Sequence, residues 1–348
     1  MRRFATLVAG LLVLASLAAT PAAASAGQTG QDCSFPVTMT DATGTEVTIE
    51  ERPERVTTTN PSAAQTMWEI GGRDQVVGLT QYASYLEGSE SRTNVSASFG
   101  ISVERVAGTN PDLVIAPNAS SSEVAPLRGA GLKVYHLREA KTVDDIAEKT
   151  TTIGRLTGNC DGAADTNTWM NANVDTVQRL TADVEDRPTV LYSLGGGYVA
   201  GGDTFINALF DVVGADNVAA RDHTGYPQLS DEVVLQLDPE VLVVTERTAG
   251  IASEEPFAST TAGQRNATVR VNVRDLNQPA PRSVVYVTRN MTRQLYFGPN
   301  AAASATGTPA STPTATSDGS GPGFTAAGAV VAALVAALVV RRRRLARR

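Results

Sequence analysis

A short helix-turn-strand unit occurs twice in the chain, and this repeat limits the possible folds more than any other feature. In the first copy SVERV at 102–106 precedes NPD and an apolar run at 110–115. In the second copy SDEVV at 230–234 precedes DPE and an apolar run at 238–243, at the same spacing. Each copy predicts a serine-capped helix, a stop before an Asn-Pro or Asp-Pro turn, and a buried strand. The repeat therefore predicts two similar halves.

Strand and helix signals alternate around both copies. Seven apolar, β-branched runs are predicted strands: 55–59, 76–80, 112–116, 133–137, 189–194, 240–245 and 268–273. Helical segments separate most of them, and we predict a Ser-x-x-Gln capping box for 62–70 and an aspartate cap for 203–213. Residues 37–49 predict a β-hairpin. Apolar strands that alternate with helices are typical of parallel sheets covered on both faces. We therefore predict an α/β protein with two αβ lobes and mainly parallel sheets.

The segment between the halves predicts a helical connector. Residues 142–185 contain no proline and begin with the capping box TVDD. Gly154, Gly158 and Gly162 each cost about 1 kcal/mol inside a helix, so a single long helix and a helix broken near 158–162 both remain open. The predicted domains are an N-terminal lobe, a connector and a C-terminal lobe, at 27–140, 141–187 and 188–298.

Both ends of the chain carry export or anchoring signals. Arg2 and Arg3 precede an apolar run that ends in small residues, which predicts a signal peptide over 1–26 by the general or the twin-arginine route. Residues 299–323 are rich in Thr, Ser and Pro and predict a stalk. Residues 324–348 combine an apolar run with six arginines, which predicts a membrane span and a cytoplasmic tail. The expected location is the cell surface, with the body outside and the anchor at the C-terminus.

The charge of the body excludes one class of partner. Without the eight arginines at the two ends and the single acid of the stalk, 21 basic residues face 35 acidic ones, a net charge near −14. Such a surface argues against binding to nucleic acid or to an anionic membrane. Only three of the basic residues are lysines, and together with the acidity this resembles haloarchaeal proteins.

Covalent modifications are expected at a few positions of an exported chain. Cys33 and Cys160 are the two cysteines, and in an oxidising compartment they predict one disulfide. A lipid on Cys33 is the alternative, although the polar residues before it do not suit lipoprotein processing. Four glycosylation sequons begin at Asn94, Asn118, Asn266 and Asn290, of which the last two are the first to test.

A series of short motifs resembles the class III periplasmic binding proteins of the cobalamin and iron-siderophore type. The motifs lie in order at 40–49, 53–56, 60–62, 71–78, 110–114, 201–206, 226–230 and 278–282, within a resemblance that covers about 35–297. The resemblance implies two lobes joined by a long helical backbone. It also implies a receptor that delivers a metal chelate to the permease and ATPase of an ABC importer. Separately, Pro322-Gly323-Phe324 resembles the archaeal PGF sorting signal, which implies that a lipid replaces the span.

The resemblance also implies roles for individual residues. Glu104 and Glu232, each near the start of a helix, correspond to the glutamates that dock on permease arginines; complementing the helix dipole is the alternative. Ligand contacts are expected from loops that follow strand ends, where aromatic and polar side chains gather. The candidates are Tyr82, Tyr85, Phe99, Asn118, Tyr198, His223, Tyr226 and Arg247. Tyr226 occupies the place of a ligand-stacking Trp in the cobalamin receptors, and ordinary packing is the alternative for each aromatic residue.

No enzymatic or metal-binding pattern emerges from the sequence. His136 lies in a predicted strand, and His223 has no cysteine or catalytic serine signature beside it. The glycines at 195–197 lack the Lys-Ser/Thr of a phosphate loop. Two histidines in different halves do not supply the ligands that a bare zinc ion needs. We therefore expect no catalytic residue, no metal ligand and no cofactor, and keep a haem receptor or a surface structural or sensory module as alternatives.

Overall fold

An antiparallel hairpin and a parallel sheet form the first lobe of the computed structural model, which describes residues 33–298. The hairpin strands are β1 (Val37–Thr40) and β2 (Glu46–Ile49). The sheet strands are β3 (Val56–Thr58), β4 (Val76–Leu79), β5 (Thr93–Asn94), β6 (Leu113–Ala116) and β7 (Val134–His136), in the order β5-β4-β3-β6-β7. The helices of this lobe are α1 (Pro61–Glu69), α2 (Val103–Gly108) and α3 (Ser121–Gly129).

Two antiparallel helices follow the first lobe. They are α4 (Val143–Thr157) and α5 (Cys160–Thr181), and the chain reverses between them at Gly158, whose φ of 69° suits glycine. The single long helix is therefore wrong, and the expected break at 158–162 is confirmed. Gly162 sits against the carbonyl of Ile70 at the end of α1, a place where no Cβ fits.

A second parallel sheet forms the other lobe. Its strands are β8 (Thr189–Gly195), β10 (Asp216–Asn217), β11 (Val241–Val244) and β12 (Thr268–Arg270), with β9 (Tyr198–Val199) antiparallel to β8. Its order is β10-β8-β11-β12. Its helices are α6 (Phe205–Val213), α7 (Asp231–Leu237), α8 (Thr261–Arg265), α9 (Val273–Leu276) and α10 (Pro281–Tyr296). All seven predicted strands are present, and the predicted α/β fold with two lobes is confirmed.

The repeat has the same structure in both lobes. Ser102 and Ser230 cap α2 and α7 by accepting hydrogen bonds from backbone N–H groups in the first turn. Asn110 and Asp238, which precede the prolines, both have positive φ, at 45° and 39°. The strand that follows, β6 or β11, lies inside its sheet with neighbours on both sides.

The acid after each proline joins the repeat to the neighbouring strand. Asp112 accepts hydrogen bonds of 2.9 Å from the backbone N–H groups of Glu54 and Arg55, just before β3. Glu240 accepts one of 2.9 Å from the backbone N–H of Thr189, the first residue of β8. These carboxylates satisfy donors that would otherwise lack partners where a strand begins.

Two of the predicted helix caps are wrong. Asn60, not Ser62, caps α1, because Pro61 takes the first helical position and needs no N–H partner. Ser62 is buried inside the helix. Thr204, not Asp203, caps α6, while Asp203 has a φ of 57° and pairs with Lys141 at 2.6 Å. The capping box at Thr142 and Asp145 is confirmed.

Each connector helix packs on the apolar cores of both lobes. On α4, Ile146 packs in the core of the second lobe, whereas Ile153 and Leu156 pack in that of the first. On α5 the direction is reversed: Ala163 belongs to the first core and Met170 to the second. The two helices therefore carry the chain across the lobe boundary twice.

Cys33 and Cys160 form the expected disulfide, which closes a separation of 127 residues. The bridge joins the segment before β1 to the first residue of α5.

The predicted signal peptide, stalk, sorting signal and span lie outside the described residues. Within residues 33–298, no helix has both the length and the apolar character required to cross a bilayer.

Candidate ligand-binding cleft

A cavity of about 250 Å³ lies between the carboxyl ends of the two sheets. In the first lobe its walls come from residues that follow strands: Asn60 after β3, Asn118 after β6 and Arg138 after β7. The second lobe contributes residues from the end of β8, from α6, from the loop before α7 and from the segment after α9. Parallel strands place these loops at one edge of each sheet, so the cavity is the floor of a cleft between the lobes.

The lining of the cleft floor is rich in amides and has few charges. Asn60, Asn118 and Asn277 provide side-chain amides that both donate and accept hydrogen bonds. Leu194, Phe205, Ile206 and Tyr226 provide the apolar surface. Arg138, Glu139 and Lys149 are its charged residues. Such a mixture suits a large organic ligand that presents flat apolar surface together with several polar groups.

Tyr226 reaches the cleft from the loop before α7. Its side chain is 47% exposed, so a ring face is free for stacking. Desolvation raises the pKa of its hydroxyl, and the negative charge of Glu139 from the opposite wall raises it further. The phenol therefore stays protonated at neutral pH and acts as a hydrogen-bond donor.

The remaining ligand candidates lie around the cleft rather than in its floor. Tyr85 is half-buried at the contact between the lobes, where its hydroxyl donates to Gln65 at 2.6 Å and its ring lies 5.9 Å from the guanidinium of Arg274. The other five lie outside the floor lining: Tyr198 begins β9, and the rest follow the carboxyl ends of strands, namely Tyr82, Phe99, His223 and Arg247. Phe99 is 95% exposed, more than any other large apolar side chain within residues 33–298. A role for these residues in binding stays a prediction.

Several floor residues were not predicted from the sequence. Asn60 lies within the family-like motif at 60–62, and Arg138 follows the predicted strand at 133–137, so the sequence carries a signal for both. Phe205 was predicted to lie in a helix. Its side chain lines the cleft because it is the first residue of that helix, and the exact start of the helix was not predicted. Lys149 carried no local signal, because its position depends on the packing of three separate elements.

The two glutamates proposed for docking occupy equivalent places. Glu104 is in the first turn of α2 and Glu232 in the first turn of α7, and both side chains are exposed. Each helix leads into a parallel strand, so its first turn lies at the carboxyl edge of its sheet, the edge at which the cleft opens. The pair therefore flanks the cleft, one glutamate on each lobe.

The sequons differ in their surroundings. Asn266 is exposed at the end of α8. Asn290 is half-buried within α10, and the hydroxyl of its sequon partner Thr292 is buried and donates to the carbonyl of Thr288 at 2.8 Å. Asn118 lines the cleft. Glycosylation at any of them stays a prediction.

The comparison with family models assigns residues 56–270 to the periplasmic binding protein family. The chain belongs to this family. Its members are binding proteins, and the described part of this one, residues 33–298, contains no group of three or more His, Cys, Asp and Glu side chains that would hold a bare metal ion.

The proteins to which this periplasmic binding protein is similar include cobalamin-binding and haem-binding proteins. It is 44% identical over 303 residues to the cobalamin-binding protein of Halobacterium salinarum, covering 81% of this chain and 82% of that one. Among solved structures, the vitamin B12 binding protein BtuF of Vibrio cholerae matches with a TM-score of 0.61 and 23% identity, over 71% and 98% of the two chains. The haem-binding protein RhuT of Roseiflexus matches with a TM-score of 0.62 and 22% identity, over 69% and 98%. The two structural matches establish the fold.

Replacing Tyr226 with alanine is expected to weaken binding of a planar ligand about tenfold, because the variant loses a stacking surface and a donor in the cleft. Tyr286→Ala is the matched control, since it removes an exposed tyrosine ring of α10 that lies outside the floor lining. Isothermal titration calorimetry measures both. Equal effects of the two substitutions would contradict the assignment of the floor as the ligand site.

Proposed function

We propose that this periplasmic binding protein is the extracellular receptor of an ABC importer, that it captures a metal chelate of the corrinoid class, and that it is not an enzyme. The main support is the 44% identity to a cobalamin-binding protein over 81% of the chain. The amide-rich cleft with one free tyrosine ring agrees with a chelate whose metal is already fully coordinated. Such a cargo needs shape, stacking and hydrogen bonds from the protein rather than metal ligands.

In this proposal the cleft captures the cargo, and the exposed glutamates at its two sides present the loaded receptor to the membrane. Glu104 and Glu232 would face arginines of the permease, whose ATPase drives import. A surface location with a C-terminal span or lipid keeps the receptor close to that permease. The signals for this anchor belong to residues 299–348, outside the described part of the chain.

Calorimetric titration of the purified protein with cyanocobalamin, a ferric siderophore and haemin tests the choice of cargo. We expect cyanocobalamin to bind with a Kd below about 1 µM, and the other two to bind at least about tenfold more weakly. A preference for haemin would favour the haem receptor, a fold-level alternative supported by the likeness to haem-binding structures. Absence of heat with all three would favour a structural or sensory module, as would a gene neighbourhood without an ABC permease and ATPase.

A further inference from the structure

Lys149 is a buried amine at the point where both lobes and the connector meet. Its side chain lies on α4 and is 6% exposed. The Nζ atom donates to the hydroxyl of Ser62 on α1 at 3.0 Å and to the carbonyl of Pro279, just before α10, at 2.7 Å. The same side chain lines the cleft floor and a second cavity, of about 350 Å³, between the β1–β2 hairpin, β7 and α4.

The amine has no anionic partner in the described chain. An ammonium group has three N–H donors, and the two hydrogen bonds leave one donor without an acceptor among residues 33–298. Burial is the cause that lowers its pKa from 10.5 to about 7, with no neighbouring carboxylate to offset the desolvation. A buried cation without a counter-charge is costly, and proteins rarely keep one unless something compensates it.

The carboxylates of the surrounding elements are each engaged elsewhere. Asp41 of the hairpin pairs with Arg128, Glu148 with Arg138, Glu69 of α1 with Arg282 of α10, and Glu139 lies 3.7 Å from Lys141. Asp145, one turn before Lys149, accepts backbone N–H groups at the start of α4. Tyr135 and His136, on the far wall of the second cavity, hydrogen-bond to backbone carbonyls. An anion that pairs with the charged form of Lys149 would therefore come from outside these residues, and the cleft floor, which Lys149 lines, gives it access.

We propose that Lys149 recognises an anionic group of the cargo: its ammonium pairs with a phosphate or carboxylate of the bound chelate at the floor of the cleft. This inference rests on the proposed function and adds the chemistry of one contact. The charge-assisted hydrogen bond would use the third N–H donor, while Ser62 and Pro279 hold the amine in place. Because the anion stabilises the ammonium form, the bound protein holds more protons at this site than the free protein does above about pH 7. Affinity is therefore expected to fall as the pH rises above 7.

The affinities of two corrinoids, one with a phosphate and one without, distinguish the contribution of this contact from that of all other contacts with the ligand. Cyanocobalamin carries a phosphodiester, and dicyanocobinamide lacks it together with the nucleotide. We expect Lys149→Met to weaken cyanocobalamin about ten- to a hundredfold and to change the affinity for dicyanocobinamide less than about threefold. Lys133→Met, which removes an exposed lysine near β7, is the matched control and should change neither. Haemin and its dimethyl ester form the corresponding pair for a carboxylate cargo.

Titrations at pH 8 in two buffers of different ionisation enthalpy measure the coupled proton. Wild-type protein is expected to take up protons on binding the anionic probe, and Lys149→Met is not. Lys149→Arg, which stays charged at all these pH values, should retain most of the affinity while losing its pH dependence.

The stability of the free protein provides a readout that does not depend on ligand. Between about pH 7 and pH 10.5 the folded protein binds fewer protons at Lys149 than the unfolded chain does, so the free energy of unfolding should rise with pH. This rise should be absent in Lys149→Met, which also shows whether the variant folds.

Equal weakening of both members of a probe pair by Lys149→Met would overturn the inference and assign the lysine a purely structural role. If the wild-type protein binds none of the four probes, the proposed cargo class is wrong. That result refutes the proposed function, whereas equal weakening of a probe pair refutes only the role of Lys149. If only the haemin pair responds, the anion is a carboxylate, and the corrinoid class is replaced while the role of Lys149 stands.

Discussion

Reversing the charges of Glu104 and Glu232 together, as Glu104→Arg/Glu232→Arg, is expected to abolish uptake while leaving ligand affinity unchanged. Both side chains are exposed in first helical turns beside the cleft, and neither lines the cleft floor. Placing arginines against a cationic partner costs several kcal/mol, so transport should fall by more than about a hundredfold. Radiolabelled cargo uptake in cells and calorimetry on the purified variant measure the two properties separately.

Single reversals distinguish docking from the dipole alternative. If each glutamate only complements its helix dipole, a reversal costs roughly 1 kcal/mol of stability and leaves transport close to normal. The matched control is Glu46→Arg/Asp165→Arg, which makes the same change in net charge at exposed positions on β2 and α5. Loss of uptake in this control would point to a general effect of net charge, and loss of affinity in the test variant would refute the separation of roles.

Removing the disulfide with Cys33→Ser/Cys160→Ser is expected to cause the largest loss of stability. The bridge closes a separation of 127 residues, and restraining a loop of that length in the unfolded chain contributes about 5 kcal/mol when unstrained. For a domain of this size the melting temperature should fall by roughly 10 °C. Calorimetric unfolding with and without a reductant measures it, and the reduced wild type should match the variant.

Ligand affinity should survive the loss of this bridge at temperatures where the variant is folded. Cys160 begins α5, whose first turn contacts the end of α1 through Gly162 and Ile70, whereas the cleft lies at the beginning of α1, next to Asn60. An unchanged melting temperature would contradict the stabilising role. If mass spectrometry instead shows a lipid attached to Cys33, the lipoprotein alternative replaces the disulfide.

The sequence was informative about the fold wherever the signal was local. The repeated serine cap, positive-φ turn and apolar run identified α2 with β6 and α7 with β11, because each part depends on neighbouring residues. The caps of α1 and α6 were missed by one or two positions. There, several polar residues stand in a row, and the choice among them depends on Pro61 in one case and on the pairing of Asp203 with Lys141 in the other.

For the candidate site, the sequence predicted which edge of each sheet would line it but not which residues. Residues that follow the predicted strands lie at the carboxyl edge of each sheet, where the cavity is, because parallel strands share a direction. The sequence did not show which side chains turn into the floor: of the predicted ligand residues Asn118 and Tyr226 line the cavity, and Asn60 and Asn277, which were not predicted, line it as well. Lys149 lies in the middle of a helix in a sequence that otherwise looks amphipathic. Its burial follows from the meeting of α1, α4 and the segment before α10, which no short stretch of sequence encodes.

The duplicated unit has a consequence for assembly. Glu104 and Glu232 occupy the same position in the two copies of the unit, so under the docking proposal a partner of twofold symmetry would present the same surface to either of them. Such a partner would accept the receptor in two orientations if it contacted this pair alone. Elements without a counterpart, such as the β1–β2 hairpin on one lobe and β9 on the other, are the parts of the molecule that distinguish one landing from the other.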